Sequence, residues 1–107
     1  MIRIYSGMCT FTTAGESEEL FRVGVPAGQS WRLKEFRGIK DYDGRKYSAV
    51  LKINGEATHT IPIRDNQCIM PLKDIVEEGT ILVGAIIKAA GGGAQWAGVV
   101  LVVETNA

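Results

Sequence analysis

The stretch that most constrains this chain is Val25-Pro-Ala-Gly-Gln-Ser-Trp-Arg-Leu33. A short apolar run, Leu20-Phe-Arg-Val-Gly-Val25, leads into Pro26. Proline has no N–H to give to a ladder, so a strand is expected to end there. Ala27-Gly28 then turns the chain, and a new strand opens with Trp31 and Leu33 on one face. The same phrase recurs as Val76-Glu-Glu-Gly-Thr-Ile-Leu-Val83. Each copy reads apolar, two residues, glycine, two residues, apolar. A corner that drops one strand and starts another is what a two-sheet β-sandwich needs.

The rest of the chain supports an all-β reading. Its 107 residues fit one domain, residues 1–107, and 46% apolar content argues against disorder. Met1-Ile-Arg-Ile-Tyr5 alternates like a strand; Gly7 breaks it, and Met8-Cys-Thr-Phe-Thr-Thr13 is either a second strand or a continuation. The acidic run 14–19 reads as a surface loop. Trp31 and Leu33 share a face but Phe36 falls on the other, which calls for a second apolar surface or a bulge near Lys34-Glu35. Asp43-Gly44 and Asn54-Gly55 are hairpin turns, the latter of type I′. His59, Ile61 and Ile63 share one face of the strand that returns from Asn54-Gly55, and Pro62 marks that strand as an edge or its end. Lys73-Asp-Ile-Val-Glu-Glu78 reads as a short helical turn before the Gly79 corner. Two runs, Thr80 to Lys88 and Gly98 to Glu104, are apolar on both faces, as in strands that are covered on both sides. The total is eight or nine strands in an antiparallel, jelly-roll-like sandwich.

Between those last runs lies Ala89-Ala-Gly-Gly-Gly-Ala-Gln-Trp-Ala-Gly98, a small-residue loop carrying one tryptophan. Trp96 is the best candidate for contact with a partner or a sugar ring, with Gly91, Gly92, Gly93 and Gln95 beside it. Trp31 reads as core. Tyr42 and Tyr47 straddle the Asp43-Gly44 turn as a cross-strand pair.

The sequence offers no catalytic constellation. The chain has one histidine, so no paired-histidine metal site can form within it. Cupin-type jelly rolls place histidines after the corner glycine; here Gly28-Gln-Ser-Trp-Arg-Leu-Lys-Glu-Phe offers Glu35 alone. No elbow motif frames Ser30 or Ser48, and His59 reads as a surface or packed residue. Asp41-x-Asp43-Gly44 resembles the start of a calcium loop, but Lys52 stands where the closing glutamate belongs. Gly91-Gly-Gly93 lacks the Lys-Ser/Thr of a phosphate loop. No catalytic residue, metal ligand or cofactor is expected. Twelve Lys+Arg balance twelve Asp+Glu, which argues against a nucleic-acid partner. No apolar run is long enough for a membrane helix and no signal peptide is visible, so a soluble cytoplasmic chain is expected unless the protein is viral. Cys9 and Cys68, far apart and outside any CxxC, leave a single disulfide open but read rather as two buried or half-buried thiols.

Taken together, Val-Pro-Ala-Gly28 leading to Trp31-Arg-Leu33, the Asn54-Gly55 hairpin, Pro71-Leu72, and Val76-Glu-Glu-Gly79 leading to Leu82-Val-Gly resemble the small jelly-roll proteins that stud or cement viral capsids. The resemblance runs from about Leu20 to the end of the chain, and it carries over no site residue. It implies a decoration or minor capsid protein, located in the virion, that forms a homo-oligomer, a trimer above all, and binds a larger protein assembly such as a capsid. The alternative is a carbohydrate-binding module using Trp96, Trp31 or Tyr42.

Overall fold

The computed structural model describes residues 1–11, 17–41, 47–88 and 95–106. Nine strands lie within them: β1 (Ile2–Phe11), β2 (Ser17–Gly24), β3 (Ser30–Lys40), β4 (Tyr47–Ile53), β5 (Glu56–Ile63), β6 (Gln67–Pro71), β7 (Ile75–Val76), β8 (Ile81–Lys88) and β9 (Gln95–Asn106). The larger sheet runs β1-β9-β3-β6, with β7 also pairing β3; the smaller runs β2-β8-β4-β5. All these pairings are antiparallel. The pairs nest: β4 with β5, β3 with β6, β2 with β8, β1 with β9. This nesting is the jelly-roll arrangement, and the expected all-β sandwich is the observed one.

The two copies of the corner phrase carry the chain between sheets at the same place. At the first, Gln29 N–H donates to the Pro26 carbonyl at 3.2 Å and Gly28 sits at φ +80°. At the second, Thr80 N–H donates to the Glu77 carbonyl at 3.2 Å and Gly79 sits at φ +83°. Both are turns whose third residue needs positive φ, which glycine supplies without strain. Asn54 (φ 52°) and Gly55 (φ 83°) make the expected type I′ hairpin. The Asn54 side chain also accepts the Ile81 N–H at 2.9 Å, tying the hairpin tip to the start of β8.

Between the sheets, Trp31, Leu33, Phe36, Tyr47, Leu51, Leu82, Ile86 and Leu101 are fully buried. The register of β3 on β9 shifts between Leu33 and Glu35, and this bulge brings Phe36 back to the inner face with Trp31 and Leu33. Trp31 stacks on Tyr5 at 5.6 Å, and its indole N–H donates to Gln29 Oε1 at 2.8 Å. Burial of the ring therefore leaves no donor unpaired. Pro62 lies on β5, an edge strand, as its missing N–H requires.

Several expectations are corrected. Gly7 does not break β1, which runs unbroken past it. A Cβ at Gly7 would collide with the Leu20 carbonyl of β2, so the glycine allows a close approach between the sheets. Ser17–Glu19, read as loop, are paired residues of β2 opposite Ile87, Ile86 and Ala85. The segment 73–78 is extended rather than a helical turn. Val76 pairs with Trp31 and Ile75 with Arg32, so tertiary pairing overrides the acidic helix-like pattern. Finally, β9 begins at Gln95, so residues 95–98 belong to a strand rather than a loop. Tyr42, Asp43 and Gly44 lie outside the described residues, as do Gly91, Gly92 and Gly93.

Candidate interaction surface

Strand β1 alternates with an unexpected phase. Tyr5, Gly7 and Cys9 turn toward the core, while Ile2, Ile4, Ser6, Met8 and Thr10 face away from it. The usual rule would put the isoleucines inside and leave their neighbours wet. Here the Leu20 carbonyl of β2 lies so close beneath Gly7 that this inward position admits no side chain, while Tyr5 on the same side stacks on Trp31.

The register extends this outer face across the larger sheet. Ile4 lies opposite Val102, Met8 opposite Gly98 and Thr10 opposite Trp96. On the other flank of β9, Ile39 lies opposite Gly98, Arg37 opposite Val100 and Glu35 opposite Val102. Ile69 sits opposite Arg37 on β6, and Ile75 opposite Arg32 on β7. Met8 is 64% exposed, Ile4 63% and Trp96 40%. Six of the eight exposed large apolar side chains among the described residues, Ile2, Ile4, Met8, Ile69, Ile75 and Trp96, lie on this one face. Single exposed apolar residues are ordinary; their gathering on one sheet face makes that face the candidate interaction surface.

Trp96 stands between two depressions. One is lined by Met8, Cys9, Thr10 and Ile39, the other by Ile39, Lys40, Asp41, Asn66 and Gln67, and the indole borders both. Gly98 leaves the floor between Met8 and Ile39 open, because a Cβ there would meet the Gly7 carbonyl at 2.7 Å. The Trp96 carbonyl accepts the Asp41 N–H at 3.2 Å, which ties this end of β9 to the end of β3. An ion pair, Arg37 to Glu35 at 2.7 Å, crosses the middle of the face. Toward the corners the surface turns polar, where Ser30, Arg32, Glu104 and Asn106 line a third depression with Ile75 and Trp31.

Of the residues named from the sequence, Trp96 is on this surface. Gln95 opens β9 opposite Phe11. Gly91, Gly92 and Gly93 fall outside the described residues. Trp31 is core, so it is not available to a sugar or a partner. Sequence reasoning missed Ile2, Ile4, Met8, Ile39, Ile69 and Ile75. Their signal was alternation, which identifies a strand but not which of its faces is wet.

Ionic chemistry elsewhere is sparse. His59 Nε2 lies 3.7 Å from Asp74 Oδ2, and its Nδ1 is 2.9 Å from the Thr58 hydroxyl. Ser48 lies opposite Pro62 rather than His59. Among the described residues no group of three or more His, Cys, Asp or Glu is placed to hold a metal ion. Cys9 and Cys68 are half-buried thiols, not joined in a disulfide. No helix among the described residues is long and apolar enough to cross a membrane.

No protein-family model matches the chain, and no curated protein matches it by sequence. Solved structures do resemble it in fold. The VP2 protein of infectious bursal disease virus, in its subviral particle, superposes with a TM-score of 0.57 at 16% identity over 95% of this chain and 32% of that one. The chain thus spans about a third of the length of that protein. The CBM36-1 domain of a multidomain xylanase from the hindgut metagenome of Trinervitermes trinervoides gives a TM-score of 0.51 at 13% identity, over 100% of this chain and 98% of that one. A protein of Bacillus endospore appendages, which form disulfide-linked pili, gives 0.51 at 10% identity, over 95% of this chain and 85% of that one. At these identities the likeness is one of fold.

Proposed function

We propose that this chain is a non-enzymatic assembly protein, which associates with itself and docks on a larger protein lattice through the outer face of β1, β9, β3 and β6. A viral capsid decoration or minor capsid protein, carried in the virion, is the form of this reading that the sequence resemblance favours. One observation carries it: the exposed apolar side chains gather on a single sheet face, around Ile4, Met8 and Trp96. Covering such a face removes apolar surface from water, at about 25 cal/mol per Å². The jelly-roll sandwich is compatible with this role, since fold neighbours include a virus particle protein and a pilus protein.

A second reading is a carbohydrate-binding module. It is favoured by Trp96, a half-exposed indole bordered by depressions on both sides, and by the likeness to a xylanase module. An exposed indole offers a flat apolar face against which a sugar ring could stack. Two measurements separate the readings. Sedimentation over a wide concentration range should show association for an assembly protein. Titration with xylo-oligosaccharides should then show no saturable binding. A strict monomer that binds sugar, and loses it on Trp96→Ala, would replace the first reading with the second.

A further inference from the structure

The two sheets have four edges, and three of them are guarded against pairing. β5 carries Pro62. β2 has a bulge between Glu19 and Phe21 and presents Glu18, Glu19 and Arg22. β6 is five residues long and ends on Pro71. Bulges, prolines, charges and short length are the devices that keep sheet edges from finding a second strand. β1 has no bulge, no proline and only one charge. It is ten residues long, its register on β9 is unbroken from Ile2 to Phe11, and Arg3 is its one charged side chain. No strand among the described residues pairs with its other side.

The hydrogen bonds fix which groups that edge presents. Thr105 N–H donates to the Met1 carbonyl at 2.7 Å, and the Met1 amine donates to the Thr105 carbonyl at 3.3 Å. Met1 and Thr105 are thus a hydrogen-bonded pair, and such pairs recur at every second residue of an antiparallel ladder. Arg3, Tyr5, Gly7 and Cys9 therefore bond to β9. Ile2, Ile4, Ser6, Met8 and Thr10 turn their N–H and carbonyl groups outward along the open edge. These are the residues of β1 whose side chains lie on the outer face, Ile2, Ile4 and Met8 among its exposed apolar groups.

We propose that this edge pairs with a second copy of the chain: two β1 strands run antiparallel across a two-fold axis at Ser6 and join the two larger sheets into one. The choice of occupant follows from self-complementarity. An even-numbered residue can satisfy its outward groups only against another even-numbered residue, and the register centred on Ser6 uses every one of them. It sets Ile4 against Met8 of the second copy and Ile2 against Thr10 of the second copy. The two arginines at position 3 fall at opposite ends, so no like charges meet. An isologous contact of this kind closes as a dimer. The inference rests on the self-association proposed above and gives it a geometry, with the two apolar faces side by side as one docking surface.

The test uses two double variants at exposed positions, read by sedimentation equilibrium against the unaltered chain. In Ile4→Lys/Met8→Lys, each new lysine faces a lysine across the seam. In Ile4→Lys/Met8→Glu, each faces a glutamate. The unaltered chain should be a dimer, and the first variant should dissociate about tenfold or more readily than the second. Equal weakening in both variants would overturn the edge pairing, because loss of apolar surface alone would then explain it. A trimer, or a dimer indifferent to both variants, would overturn the edge and leave the assembly reading standing. A strict monomer would overturn self-association altogether.

Discussion

The Val25 N–H donates to the Thr80 carbonyl at 2.9 Å, and the Gly79 N–H donates back to the Val25 carbonyl at 2.9 Å. These residues belong to the two copies of one sequence phrase, 51 positions apart along the chain for Val25 and Val76 (76 − 25). In space the copies lie side by side. One takes the chain from β2 to β3 and so from the smaller sheet to the larger; the other takes it back from β7 to β8. Their apolar positions, Val25 and Trp31 in one and Val76 and Leu82 in the other, are all buried. The Gly28 N–H adds a bond to Glu78 Oε2 at 3.4 Å. The phrase repeats because the chain crosses the sandwich twice at one end, in opposite directions, and the two crossings lock together.

Gly28 and Gly79 should be sensitive for conformational reasons alone. Both sit at positive φ, and a Cβ at either would meet nothing within 4 Å. Gly28→Ala and Gly79→Ala should each cost about 1–2 kcal/mol, the penalty of a side chain in the left-handed region. Asparagine at either position should cost less, because it tolerates that region. Urea unfolding midpoints measure this. A neutral Gly79→Ala would mean that the corner relaxes to another turn type.

Gly84 presents the opposite case. A Cβ there would run into the ring of Phe21, a half-buried side chain packed against the core. Gly84→Ala should destabilise by about 1–3 kcal/mol through overpacking. Phe21→Leu shortens the obstructing side chain, so the double variant should lose less than the sum of the two single losses. Strict additivity would show that the ring already moves aside at no cost.

What was legible in the sequence was local chemistry with one backbone solution. Asn54-Gly55 could only be a tight hairpin. Pro62 could only sit where an N–H is not needed. The phase conflict between Leu33 and Phe36 required an irregularity, found as the bulge at Lys34-Glu35. What was illegible depended on what lay across the sandwich. Gly7 looks like a strand breaker until the Leu20 carbonyl is seen beneath it. Ile75 and Val76 sit in an acidic stretch of helical appearance, and they are extended because Trp31 and Arg32 pair with them. The candidate surface was legible only at Trp96. The isoleucines of β1 carry the same alternation as a core-facing strand, and only the approach of β2 decides that they face out.

The Glu19 carboxylate should titrate below the ordinary glutamate value. The Arg22 guanidinium holds it there, first by a hydrogen bond of 2.7 Å and then by charge. With the folded-state value the lower one, any stabilisation from this pair is present above the unfolded-state value and is lost as pH falls through the folded one. The two side chains are 61% and 44% exposed, so solvent and salt screen the pair and the readout is titration rather than stability. A carboxyl-detected NMR titration should show the depressed midpoint, and Arg22→Ala should return it toward the ordinary value. An unchanged midpoint in Arg22→Ala would remove the guanidinium as its cause.

Trp96 and Trp31 should respond to truncation in opposite ways. Trp31 is 1% exposed and stacks on Tyr5, so Trp31→Ala should cost about 3–5 kcal/mol of stability. Trp96 is 40% exposed on the outer face of β9, opposite Thr10, and does not plug the interior. Its backbone stays in place without the indole, because Trp96 remains in the ladder with β1 and its carbonyl still accepts the Asp41 N–H. Trp96→Ala should therefore cost about 1 kcal/mol or less of folding stability, the loss of a few half-exposed contacts. If the indole is an anchor in an assembled interface, the same change should weaken assembly by about 2 kcal/mol or more. Thermal unfolding of the unassembled chain and sedimentation of the assembled one read the two effects separately. A large loss of stability with assembly unchanged would return Trp96 to the core and take the docking site elsewhere.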